Sequence, residues 1–228
     1  MVYGNVLKTH DTKLCYHRKV LSVLTSQVVL TLAVNVICIA NGFNELFSNW
    51  IICLAAAVAT IGSVFMLVTK EDNRREHFKA NLLLMTFVIG SSVFTFDVCQ
   101  FLNNAFVILT LYAITTAVVS LFIGSLFAKS HEEWHWYMQV AGAVGCGVST
   151  LVIPFFLSNW YGPDYTILWV YTVVFNALVA WYLNLEMNTH IEHSGVSLGE
   201  DEDYILASLY IYINWMWRLK DLFLKYIW

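Results

Sequence analysis

The sequence predicts an all-α membrane protein: six transmembrane helices followed by a seventh, C-terminal helix that is buried in the bundle or re-enters the membrane. Hydrophobic residues make up 59% of the 228 residues and charged residues only 12%. With a mean hydropathy of +0.64, this composition lies far outside the range of soluble globular proteins. Long runs without charge alternate with short polar loops, and each of the first six runs reaches the roughly 17 to 25 residues of a spanning helix. The loops are too short for a soluble domain.

The predicted segments follow the charge-free runs and are numbered here in chain order. A cytosolic N-terminal stretch covers residues 1–18, a single transmembrane bundle covers 19–224, and a short tail covers 225–228. The segments within the bundle run from about 19 to 42, 48 to 69, 80 to 98, 104 to 128, 134 to 158, 165 to 188 and 204 to 224.

The basic residues predict the orientation of these segments. All twelve Lys and Arg lie before segment 1, between segments 2 and 3, after segment 4 or near the C-terminus. The loops after segments 1, 3 and 5 contain none. Because basic residues remain on the cytosolic side, the N-terminus and the even-numbered loops are expected in the cytosol. The net charge of −4 indicates no particular partner, and no nucleic acid is expected.

The last apolar stretch is shorter than the others. Only residues 204–217 are apolar, which suits a re-entrant or buried segment better than a lipid-exposed span. A full seventh span would also carry Arg218, Lys220 and Lys225 out of the cytosol. We therefore favour six spans and a buried hairpin, with a seventh helix enclosed by the other six as the alternative.

Two short motifs suggest enzymes, but their surroundings do not fit. Residues 131–135 (H-E-E-W-H) match the H-E-x-x-H zinc motif, yet they lie in a short loop and no third ligand follows at a characteristic spacing. A charged helix cap is the simpler interpretation. Residues 147–150 (G-V-S-T) resemble the serine motif of an intramembrane protease, which needs a His base, and no His lies deep in a predicted span. With Gly142 and Gly145, they are better explained as a surface for close helix packing. We expect neither an enzyme nor a bound metal or cofactor.

Two carboxylates at helix ends are the first candidate functional residues, because an ionisable group in a membrane is costly and usually functional. Asp97 ends segment 3 on the non-cytosolic side, and Glu186 lies near the cytosolic end of segment 6. Together with Glu45 and Asp164, Asp97 makes the non-cytosolic face acidic, a potential that concentrates cations. The alternative for each is a carboxylate that merely reaches the membrane surface from a helix end.

Segment 6 also carries a row of polar residues at helical spacing. With Ala180 in the gap, the row consists of Thr172, Asn176, Asn184 and Asn188. Amides in a membrane require partners, so the row is expected to face protein or water. Glu186 points to the opposite side from Asn188, since two residues turn a helix by about 200°. Tyr210, Asn214 and Arg218 form a similar row in segment 7, and we expect the two rows to meet.

Four stretches resemble the Bax inhibitor motif family. They are residues 74–98 (RREHFKANLLLMTFVIGSSVFTFDV), 106–130 (FVILTLYAITTAVVSLFIGSLFAKS), 187–195 (MNTHIEHSG) and 201–214 (DEDYILASLYIYIN). The sequence is most similar to the Lifeguard and Golgi anti-apoptotic branch, or to the related transmembrane proteins of large DNA viruses. The resemblance covers most of the chain and is weakest in segments 1 and 2.

The resemblance implies a calcium leak channel of the endoplasmic reticulum or Golgi, with the plasma membrane as an alternative, that lowers stored calcium and opposes apoptosis. Calcium is then the permeant ion, and the implied partners are membrane lipids and other membrane proteins of apoptosis or calcium handling. In the family, an Asp in a Y-D-T-x motif pairs with an Asp in an L-Y-L-D motif to form a pH-sensing gate. Residues 187–190 and 211–214 match these motifs, so Asn188 and Asn214 replace both acids. In a shifted register, Tyr212 takes the second position and Glu186 stands in for the first acid.

This replacement leaves two functional hypotheses. Two close carboxylates share a proton and titrate as a pair, whereas two amides keep the hydrogen-bonding capacity but do not titrate near neutral pH. The first hypothesis is a channel that has lost the family's pH switch or uses Glu186 in its place. The second is a non-conducting protein that binds other membrane proteins, for example a viral modulator of host apoptosis or of immune surface proteins.

Overall fold

All regular structure that the computed structural model describes is α-helical, as predicted. The described residues are 2–41, 50–70, 72–73, 76–99, 104–161, 166–193 and 204–214. The helices are α1 (Val2–Ala40), α2 (Trp50–Thr69), α3 (His77–Cys99), α4 (Asn104–Phe127), α5 (His131–Tyr161), α6 (Thr166–His193) and α7 (Tyr204–Asn214).

Three helices among the described residues are long and apolar enough to cross a membrane: Leu14–Ala40, Trp50–Thr69 and Val107–Phe127. The apolar helix α7 is shorter. Large apolar side chains of α2 lie on the outside, and Ile61 and Phe65 are 69% and 65% exposed, which suits contact with lipid. The protein is an integral membrane protein, and the arrangement of six spans plus a seventh helix stays a prediction.

Hydroxyl side chains are accommodated in these apolar helices by bonding to their own backbone. Thr60, Thr86 and Thr115 each donate to the carbonyl four residues earlier. In a lipid environment every polar group needs such a partner, because no water is available to replace it. The many Thr and Ser residues therefore do not interrupt the helices.

Helix α4 is the centre of the packing, with α1, α5 and α6 against it, while α3 lies between α1 and α2. Small residues allow the close contacts. A Cβ added at Gly145 of α5 would collide with Ser120 of α4, and one added at Gly124 of α4 would collide with Ala141 of α5. Gly142 lies against the side chain of Ala180 in α6. Gly142 and Gly145 therefore serve helix packing, as the sequence indicated, whereas a Cβ added at Gly147 would meet nothing within 4 Å.

Helix α1 begins at Val2, well before the predicted start of segment 1 at about residue 19. The prediction followed the apolar run, and the charges of Arg18 and Lys19 end such a run without ending a helix. Leu14 and His17 are buried in the bundle. The same reasoning applies to α6, which continues through Glu186 to His193.

Candidate gate between the sixth and seventh helices

The polar ends of α6 and α7 meet through Glu186 and Asn214. The side-chain amide of Asn214 donates to Oε1 of Glu186 at 2.7 Å and lies 3.5 Å from the hydroxyl of Tyr182. Tyr182 and Glu186 are four residues apart and therefore share one face of α6. Both Glu186 and Asn214 are half-buried, so this contact is shielded in part from the surroundings.

Of the other two residues in the proposed motif registers, only Tyr212 has a described side chain, and it lies elsewhere. The side chain of Asn188 lies outside the described residues, although the α6 backbone is helical at this position. Tyr212 is buried, and its hydroxyl lies 2.7 Å from Oγ1 of Thr31 in α1. The contact therefore joins Glu186, which replaces the first family acid in the shifted register, to Asn214, which replaces the second family acid in the unshifted register.

Asn176, in the middle of the polar row of α6, links three helices. Its Nδ2 donates to the carbonyl of Ala113 at 3.1 Å and to the hydroxyl of Ser149 at 3.0 Å. Its Oδ1 accepts from the thiol of Cys146 at 3.2 Å. Asn176 is 0% exposed, so the amide is a structural connection between α4, α5 and α6.

The remaining members of the row differ in burial. Thr172 is fully buried, like Asn176, whereas Asn184 is half-buried. The sequence predicted that the row faces protein or water, and its members Thr172 and Asn176 face the protein. Asp97 belongs to α3, but its side chain lies outside the described residues, as do Glu45 and Asp164.

A comparison with protein-family models decides the family. The model described as Inhibitor of apoptosis-promoting Bax1 matches residues 14–221. The chain belongs to the Bax1-I family. Neither the comparison with curated proteins nor that with solved structures found a match. The resemblance inferred from the sequence is thereby confirmed, and the match includes both Glu186 and Asn214.

The H-E-x-x-H sequence of this Bax1-I family protein forms the start of α5. The hydroxyl of Ser130 accepts from the backbone N–H of Glu133 at 3.3 Å, and Oε2 of Glu133 accepts from the N–H of Lys129 at 3.0 Å. This pattern is close to a capping box. The side chains of His131 and Glu132 lie outside the described residues, which hold no group of three His, Cys, Asp or Glu able to bind a metal.

Trp134, inside the same motif, packs in the core. It is 1% exposed, and its ring lies 4.4 Å from that of His17 in α1. The motif is therefore a helix start whose inner face is held against α1. In the serine motif, the described partners of Ser149 are Asn176 and Tyr112, and neither is a His base.

A second polar row, on α1, was missed by the sequence reasoning. Gln27, Thr31 and Asn35 are four residues apart and are 3%, 2% and 0% exposed. Thr31 donates to the carbonyl of Gln27, and Asn35 donates to that of Thr31. Within the described structure, neither end of the Gln27 amide has a hydrogen-bond partner. The spacing that revealed the row on α6 was present here as well.

Next to this row lies a small cavity at the centre of the bundle. Its volume is about 20 Å³, which is about the space of one water molecule. It is lined by Leu24, Val28, Thr31, Leu111, Ile114, Val118, Leu183 and Tyr212. The lining of the cavity is almost wholly apolar.

Proposed function

We propose that this Bax1-I family protein is a cation leak channel of intracellular membranes that passes calcium, lowers the stored calcium and thereby opposes apoptosis. The observation that carries the proposal is the 2.7 Å hydrogen bond between Glu186 and Asn214. It places a half-buried carboxylate between α6 and α7, where the resemblance puts the family's gate.

The gate would work with one acid in place of two. An ionised Glu186 attracts a cation, and its hydrogen bond to Asn214 holds α7 against α6 in the closed state. Opening then requires that this bond breaks and that α7 moves away from α6. Because Asn214 carries an amide in place of a carboxylate, it cannot share a proton with Glu186. We therefore propose a leak with only a shallow response to pH.

The other elements of the proposal come from the sequence. Asp97 would attract cations at the non-cytosolic mouth, and the N-terminus would lie in the cytosol. The endoplasmic reticulum or Golgi is the proposed location, with the plasma membrane as the alternative. Membrane lipids and membrane proteins of apoptosis or calcium handling are the proposed partners. The proposal involves no cofactor, enzymatic reaction or nucleic acid.

Calcium flux into liposomes tests the proposal. The purified protein should produce a flux that changes little between pH 6 and pH 8, and Glu186→Gln should alter its size. Glu133→Gln is the matched control, because Glu133 is an exposed carboxylate at the start of α5 and should leave the flux unchanged. A steep pH response that persists in the Glu186→Gln variant would contradict a gate built on Glu186.

The second candidate is a non-conducting protein that acts by binding other membrane proteins. The small, apolar cavity of about 20 Å³ favours it, as does the replacement of both family acids by amides. Zero flux for the purified protein, together with stable membrane proteins that co-purify with it, would support this function in place of the channel.

A further inference from the structure

A pocket of about 560 Å³ lies where the first half of α1 passes the C-terminal end of α4. Its polar side contains Arg18 and Lys129, and its apolar side contains Leu14, Leu126 and Phe127. We call it the basic pocket. None of the residues that line it is acidic. The nearby carboxylate of Glu133 accepts a hydrogen bond from the backbone N–H of Lys129.

The apolar wall of the basic pocket lies at the end of a candidate membrane span. Leu126 and Phe127 are 55% and 63% exposed, and the span that contains them ends at Phe127. Lys129 follows two residues later and is exposed. The pocket thus changes from apolar to cationic along the helix axis, as the membrane changes from acyl chains to head groups.

Arg18 is held firmly in the pocket. Its Nε donates to the carbonyl of Ser125 at 2.9 Å, and Nη2 donates to that of Ala128 at 2.6 Å. These bonds satisfy carbonyls at the end of α4 and offset the negative end of its dipole. A guanidinium has five N–H groups, so the two bonds leave others for a further acceptor. Capping of α4 therefore explains the position of Arg18 but does not use its whole donor set.

We propose that the basic pocket binds an anionic phospholipid, with the phosphate and the acidic head group on Arg18 and Lys129 and an acyl chain along Leu126 and Phe127. Charge complementarity and the exposed apolar wall both favour this occupant, since basic pockets between membrane helices suit anionic head groups. The proposal does not depend on ion conduction. With the orientation predicted from the basic residues, the lipid belongs to the cytosolic leaflet.

Lipid retention tests this site directly. The full chain is reconstituted in nanodiscs of phosphatidylcholine with a minority of phosphatidylserine and extracted into mild detergent, and the bound lipids are counted by native mass spectrometry. The unchanged protein should retain phosphatidylserine in preference to phosphatidylcholine. Lys129→Gln should weaken this retention about fivefold, the contribution of one cation near an anionic surface. Leu126→Glu should abolish it by placing a negative charge in the wall.

Lys70→Gln is the matched control, because it removes the same charge from an exposed residue just after α2, outside the pocket. It should retain phosphatidylserine as the unchanged protein does. Circular dichroism checks that each variant is folded; Arg18 is left intact because it also caps α4. Equal retention in Lys129→Gln, Leu126→Glu and Lys70→Gln would overturn the proposal. So would displacement of the lipid by an equal concentration of glycerophosphoserine, because the apolar wall would then contribute nothing.

Discussion

The hydroxyl groups of Thr31 and Tyr212 lie 2.7 Å apart and join the first helix to the last described one across 181 positions of sequence. The hydroxyl of Thr31 also lies 2.8 Å from the carbonyl of Gln27, to which it donates. The ring of Tyr212 also packs edge-on against Phe87 of α3 at 5.4 Å. Helix α7 is thus fixed to α1 and α3 on one side and to Glu186 of α6 on the other.

A double-mutant cycle measures the strength of the attachment to α1. Thr31→Val and Tyr212→Phe should each lower the free energy of unfolding by about 0.5–1.5 kcal/mol. Each removes the hydrogen bond between the two hydroxyls and leaves the remaining buried hydroxyl without this partner. The coupling between them should be about 0.6 kcal/mol, the average for hydrogen bonds between membrane helices. Denaturant unfolding in detergent gives all four values. Strictly additive effects would show that the two hydroxyls do not interact.

Restoring a second acid at the α6–α7 contact should restore a pH switch. In Asn214→Asp, two carboxylates would face each other across the contact that now joins Glu186 and Asn214 at 2.7 Å, and two carboxylates this close favour a shared proton. Calcium flux in liposomes should then change steeply between pH 6 and pH 8. The double variant Glu186→Gln/Asn214→Asp has only one carboxylate and should lose that steepness. An equal pH response in the two variants would mean that the residues are not coupled.

Removal of the Asn176 amide should destabilise the bundle. Asn176→Ala leaves the partners on α4 and α5 without their bonds, and we expect a loss of about 1–3 kcal/mol. Asn41→Ala is the matched control, because the amide of Asn41 is exposed and its bond within the described residues goes to the carbonyl of Ile37 in the adjoining helix α1. Its effect should stay within about 0.5 kcal/mol. Thermal unfolding in detergent compares the two, and equal shifts would argue against the three-helix connection.

Two glycines of α5 should respond differently to the same substitution. Gly145→Ala forces a methyl group against Ser120 of α4 and should cost about 1–3 kcal/mol. A Cβ at Gly147 meets nothing within 4 Å, so Gly147→Ala should be neutral or stabilise the helix by up to about 1 kcal/mol. The unfolding midpoints in one detergent measure both. Destabilisation by Gly147→Ala as large as that by Gly145→Ala would contradict the packing of α5 on α4.

Replacement of Gln27 by Leu should stabilise the protein. Its amide is buried with both ends unpartnered in the described structure, and an unpaired buried polar group costs about 1–3 kcal/mol. Gln27→Leu removes that cost at similar volume, so the unfolding midpoint should rise. Asn35→Leu provides the comparison, since the Asn35 amide donates to the carbonyl of Thr31 and its removal should help less. A fall in the midpoint for Gln27→Leu would show that the amide has a partner, such as water.

The amino-acid sequence alone determined the helical class, the family and the polar row of α6. These features depend only on neighbouring positions in the chain. The length of a charge-free run indicates whether it can span a membrane, and a four-residue spacing places side chains on one helix face however the helix packs. The same spacing occurs on α1, at Gln27, Thr31 and Asn35. It was missed because these residues lie in an apolar run and match no family motif.

The tertiary structure decided which side chains meet. It brought Glu186 to Asn214, turned Tyr212 to Thr31, buried Trp134 against His17 and placed Arg18 at the end of α4. Each contact depends on the rotation and offset of one helix relative to another, which follow from the close packing of many residues along both helices. A motif register places a residue only in its own helix, and so the contact between Glu186 and Asn214 required the packed bundle.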